Sequence, residues 1–159
     1  MKAEKFTDKD RKLVLEELER IQKVKLIPVK SSRKLFIDEN GLPFIVFGGR
    51  EDWHGITANA INELINAKRE GAFVVVKKFN TKMDINVGSL SVFISNLNKL
   101  VFTKNGGLQF HCVTTEDGLY IEEIPDLYCN KVSEIYFPNH KKDLSRLKEI
   151  SKIINIEVH

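Results

Sequence analysis

Apolar residues recur along the chain at two spacings, and the switches between them mark the elements. In TDKDRKLVLEELERIQK, Thr7 to Lys23, Val14, Leu18 and Ile21 stand at i, i+4 and i+7. Leu15 widens the stripe and charge fills the other face, so the spacing predicts a helix. Thr7 or Asp8 suits its cap, because a short side-chain oxygen accepts from backbone N–H groups left free in the first turn. VKLIPVK follows, β-branched but broken by Pro28; a residue without an N–H puts this strand at an edge or a bulge. RKLFID and LPFIVF flank Asp38-Glu39-Asn40-Gly41, and Asn-Gly signals a hairpin because both residues tolerate positive φ.

GGREDWHGI, Gly48 to Ile56, reads as the junction between that strand and a second helix, TANAINELINAKREG. Ile61, Leu64 and Ile65 make the helix stripe, with Ile56 and Ala60 a turn earlier, Thr57 as N-cap and Gly71 just past the end. AFVVVKKF is a nearly continuous apolar run, the pattern of a strand covered on both faces. VGSLSVFISNLNK spaces Val87, Leu90, Ile94 and Leu97 at helical intervals and predicts a third helix. KLVFTK, LQFHCV and LYIEEI, separated by NGG and TEDG, read as a three-strand meander whose turns carry the glycine they need. SEIYF, HKKDLSRLKEISKII and NIEV read as strand, helix, strand.

Hairpins, then helices, then hairpins give an α+β expectation: one domain over 1–159, a mostly antiparallel mixed sheet of about seven to eight strands, and about four helices. A parallel component also has support, since 43–78 and 133–158 each have the order of a βαβ unit.

Composition narrows the class. A chain of 159 residues, 42% apolar and 30% charged, is globular and large enough to bury a core without staples. Two unpatterned cysteines, Cys112 and Cys129, fit a reducing compartment. The charged start MKAEKFTDKDRK is not a signal peptide, and the longest apolar runs are too short for a bilayer. A cytoplasmic protein with no membrane partner is expected. The net charge is +3: residues 1–80 carry 16 basic and 12 acidic side chains, residues 81–159 carry 9 and 10. That permits a polyanion partner without demanding one.

Motif absences are informative. The chain has no P-loop, no GxGxxG, no HExxH, no CxxC and no GxSxG. The sole acid-x-Lys of nuclease form, Asp10-Arg11-Lys12, falls on the first helix. No cofactor and no metal are expected.

The candidate site is GGREDWHGI. At a strand-to-helix junction, free N–H groups and the helix dipole favour an anion. Gly48 and Gly49 would admit a ligand to the backbone, Arg50 grip a phosphate or carboxylate, Trp53 stack on a base, and His54 carry a proton. The plainer reading makes Gly-Gly a strand end, Asp52 a local turn and Trp53 a plug on the core. Lys77, Lys78 and Lys82, with Lys68 and Arg69, would form a basic rim beside Trp53. His140 with Asn139, Lys141 and Lys142 marks another junction. His54, His111 and Asp52 are the catalytic candidates, should the meander pack near the loop. Adjacent residues on a strand face opposite ways, which separates Glu122 from Glu123 and Cys112 from His111; Glu116, Asp126 and Asp84 complete the acids.

Three classes follow. A nucleic-acid-associated module, part of a defence, mobile-element or processing system, would bind DNA or RNA through Gly49, Arg50, Trp53, Lys77, Lys78 and Lys82. A protein-binding module (inhibitor, immunity or assembly protein) would use free strand edges. An enzyme comes third.

Overall fold

The computed structural model describes residues 6–30, 32–67 and 70–137. Helix α1 (Asp8–Gln22) starts at Thr7, whose hydroxyl accepts from the Asp10 N–H at 3.1 Å while the Asp10 carboxylate accepts from the Thr7 N–H at 2.9 Å. This reciprocal capping box selects Thr7 over Asp8 as the cap. Three strands follow: β1 (Ile27–Pro28), β2 (Leu35–Ile37) and β3 (Pro43–Gly49). The β2–β3 turn is the DENG segment. Its Asp38 carboxylate accepts from the N–H groups of Asn40 and Leu42, and Gly41 takes φ 79°. Then come β4 (Trp53–Ile56), α2 (Ala58–Ala67), β5 (Ala72–Lys78), β6 (Lys82–Ser89) and α3 (Leu90–Ser95). A single 3-10 turn leads into β7 (Val101–Phe102), β8 (Leu108–Thr114), β9 (Gly118–Ile121) and β10 (Ile124–Tyr136).

The strands form one mixed sheet in the order β1-β2-β3-β5-β6-β10-β9-β8-β4, with β7 also on β8. Among the described residues only β3 and β5 pair in parallel, so the fold is α+β with a mostly antiparallel sheet in a single domain. The 43–78 segment is the expected parallel unit, with β4 as well as α2 in its crossover.

Strand alternation divides the core in two. Phe44, Val46, Val74, Val76, Met83 and Ile85 meet Val14 and Leu18 of α1 on one face. Ile45, Phe47, Phe73 and Val75 point the other way, to Leu64 of α2, Phe93 of α3, and Phe110, Ile121 and Cys129 of the far strands. Burial on both faces is why AFVVVKKF reads as an unbroken apolar run.

Four expectations need correction. The described residues hold ten strands, not seven or eight, and three α-helices, not four; the helix and strand expected after residue 138, and with them the 133–158 unit, lie outside the described residues. The third helix starts at Leu90, because Val87 belongs to β6, opposite Val74. Met83, Ile85 and Val87 alternate, but the chain turns helical straight afterwards and the two periods overlap. GGREDWHGI is not a plain loop, since its second half is β4. Finally, SEIYF is the end of a 13-residue strand, whose two register shifts fall at Pro125, Asp126 and Leu127 and at Val132.

Candidate functional site

The sheet curls so that β4, last in strand order, returns over the end of β3. Trp53 pairs with His111, His54 with Phe110 and Ile56 with Leu108. The Asp52 carbonyl accepts from the Cys112 N–H at 2.6 Å. In an antiparallel ladder, bonded and unbonded pairs alternate. Positions 52, 54 and 56 therefore bond to β8, and the backbone N–H and C=O of Trp53 and Gly55 turn to the outer edge. The Gly55 carbonyl accepts from the Lys34 ammonium there. Thr57 caps α2 by accepting from the Ala60 N–H at 3.2 Å.

Alternation then sorts the candidate residues. Trp53 lies on the outer face at 48% exposure, in the same row as His111. His54 points inward at 8% exposure, its ring 5.9 Å from that of Phe47 and 5.7 Å from that of Phe110. Burial pushes its pKa down to about 4, with the charges of Lys34 and Lys77 adding to the effect. His54 is thus a neutral core imidazole at physiological pH. His54 and His111 occupy opposite faces of the β4–β8 ladder, and the Asp52 carboxylate is ion-paired to Lys77. The three catalytic candidates do not converge on one point. Cys112 also faces inward, and burial pushes its thiol up to about 12.

The basic residues have acidic or amide partners. The Lys77 ammonium meets the Asp52 carboxylate and donates to the Arg50 carbonyl at 2.9 Å. The Arg50 guanidinium donates to the Asn80 side-chain oxygen. Lys78 lies on the α1 face, 6% exposed, and donates to the Asp10 carboxylate at 2.7 Å. Lys82 sits between Asp84 at 3.1 Å and Glu134 at 3.0 Å. Of these, only Arg50 and Lys77 stand beside the Trp53 strand. Gly48 is covered by the Phe6 ring, 2.6 Å from where a Cβ would stand, whereas Gly49 is open. Lys68, Arg69, Asn139, His140, Lys141 and Lys142 lie outside the described residues.

One grouping escaped the sequence reading. Glu122 and Glu123 form the two-residue turn between β9 and β10, with Ile121 paired to Ile124. The alternation rule that separated them applies to strands and fails at a turn. The His111 N–H donates to Glu123 Oε1 at 2.7 Å, and Nδ1 of the ring hydrogen-bonds Oε2 at 2.7 Å. Burial raises the Glu123 pKa, but the bonds from His111 outweigh it and hold the carboxyl below the usual range. The Glu122 N–H donates to the His111 carbonyl at 2.8 Å. Ile-Glu-Glu-Ile, two polar residues between apolar ones, was the available signal.

The outer face continues from Trp53 and His111 through Val113, Tyr120 and Tyr128, which lie side by side across β8, β9 and β10. Helix α1 packs over β3, β5 and β6 and reaches β10 where Ser133 donates to Glu17 at 2.6 Å. Among the described residues, no helix is long and apolar enough to cross a membrane. No family model, no curated protein and no solved structure matches this chain.

Proposed function

We propose that this chain is a protein-binding module that takes an extended, basic segment of its partner onto the outer edge of β4, with Trp53 as the anchor. The observation that carries this reading is Trp53 itself: half exposed, on the strand at the end of the sheet, with its backbone N–H and C=O directed outward. An edge of this kind recruits a strand through main-chain bonds, and alternate side chains of the guest supply specificity. Acids outnumber bases nearby: Glu51, Asp52 and Glu122 are exposed with Glu123 beside them, against Arg50, Lys77 and Lys34. Lysine or arginine in the guest complements that rim. The same acids repel a polynucleotide, and the lysines expected to attract one are engaged in ion pairs.

The test is a titration of the chain with extended Lys-rich peptides and, separately, with short single- and double-stranded DNA and RNA, following Trp53 emission at several salt concentrations. Peptide binding is expected to shift the emission. It should be lost in Trp53→Ala and in Gly55→Pro, which removes an outward N–H without breaking a bond to β8. If polynucleotides shift the emission instead, with affinity falling linearly in log–log against salt, the module is a nucleic-acid binder and this reading is wrong.

A further inference from the structure

Beside Trp53 the meander assembles three side chains whose chemistry suits a cation rather than a peptide. His111, Glu122 and Glu123 each place a ligand atom so that the three lie within 4.8 Å of one another. We infer that they form a binding site for a borderline divalent transition ion, of the zinc, cobalt or nickel class. The inference does not depend on β4 recruiting a partner.

Three features carry it. The set mixes one imidazole nitrogen with two carboxylates, and imidazole directs a site toward zinc, cobalt and nickel and away from calcium and magnesium. The geometry is prepared in advance. The His111 N–H holds Glu123 Oε1, which fixes Oε2 against the ring, and the Glu122 N–H is tied to the His111 carbonyl. Turn and imidazole therefore move as one unit. The required adjustment is also small. Ligands bonded at about 2.0–2.2 Å to a tetrahedral ion stand roughly 3.4 Å apart. The Nδ1 to Oε2 separation of 2.7 Å must open slightly, and the exposed Glu122 side chain must close in. The ion then takes the place of the hydrogen bond between Nδ1 and Oε2, with the imidazole proton carried on Nε2. Three protein ligands leave at least one position for water or for an acidic group from outside.

The full chain in metal-free buffer at about pH 7.5 is titrated with zinc chloride by calorimetry, and with nickel chloride while Trp53 emission is followed. Expected is one high-affinity ion per chain, with nickel quenching the adjacent tryptophan. Glu122→Gln alters only an exposed turn side chain and keeps the fold; it should weaken binding at least tenfold, comparable to losing a supporting group. His111→Ala should abolish the site. His140→Ala with His159→Ala controls for the two histidines outside the described residues and should bind as the unaltered chain does. Zinc binding that survives His111→Ala, or that disappears with His140 and His159, overturns the assignment. So does calcium or magnesium binding as tight as zinc, because the imidazole would then play no part.

Discussion

His54 was the proton carrier of the sequence reading and is a core residue in the fold, and acidification separates the two roles. The perturbation is a fall from about pH 7 to about pH 5. In the folded chain the imidazole has a pKa of about 4, against an ordinary value of 6.5. The unfolded chain therefore binds the proton first. Stability from this group is complete above the ordinary value and is lost as the pH falls from there toward the folded value. Linkage with these two values gives a loss of about 2 kcal/mol between pH 7 and 5, rising to about 3 kcal/mol once the folded state also protonates. Other groups of the chain also change charge on acidification, so the unaltered chain alone is not decisive. The comparison is with His54→Phe, which keeps a ring between Phe47 and Phe110 but cannot take up a proton. Urea denaturation of both at several pH values isolates the histidine as the difference between the curves. That difference should grow by about 2 kcal/mol on going to pH 5. Parallel curves, or a His54 ring resonance titrating near its ordinary value, would refute the burial argument and restore His54 as a candidate proton carrier.

Three further outcomes follow from the packing. Lys78→Met strands the Asp10 carboxylate in the α1 interface and should cost about 3–5 kcal/mol in urea denaturation, part of it recovered by adding Asp10→Asn; a loss below about 1 kcal/mol would mean the pair is solvated. Gly118→Ala drives a Cβ to 1.9 Å from the Cys129 backbone carbonyl, which cannot swing aside as a side chain would, so it should destabilise at or beyond the usual overpacking range of about 1–3 kcal/mol. Phe110→Ala removes a ring that touches Phe47, Phe73 and Phe93 and should lower stability by about 3–5 kcal/mol; an unchanged thermal midpoint would contradict the core assignment.

What could be read in advance depended on how far along the chain the decisive partner lay. The Thr7 cap, the Gly41 turn and the Gly106 turn before β8 are set by residues within a few positions, whereas Gly118 of TEDG opens β9 and is required by the Cys129 carbonyl of β10 rather than by the turn. Strand β4 was missed because WHGI offers only four residues of alternation, and what makes it a strand is β8, much later in the chain. Strand β6 was hidden because Val87 also fits the stripe of the helix that follows. The same distinction governs the site. Arg50, Lys77, Asp52 and Trp53 do gather at the β3–β4 end, as the sequence suggested by placing them near one strand end. The His111–Glu123 contact needed the knowledge that two adjacent glutamates form a turn, and the neutralisation of Lys78 needed a helix that precedes it by more than sixty positions.

The crossover between β3 and β5 has a kinetic consequence. β4 lies inside that connection, yet its pairing partner is not synthesised until α2, β5, β6 and α3 have all been made. Closing so large a loop is entropically slow, and the hairpins β2–β3, β5–β6 and β8–β9 have every opportunity to form first. The lone tryptophan is on the strand that must wait. Its fluorescence during refolding will therefore time the pairing of β4 with β8, apart from the β3–β5 and β6–β10 pairings that join the hairpins to one another.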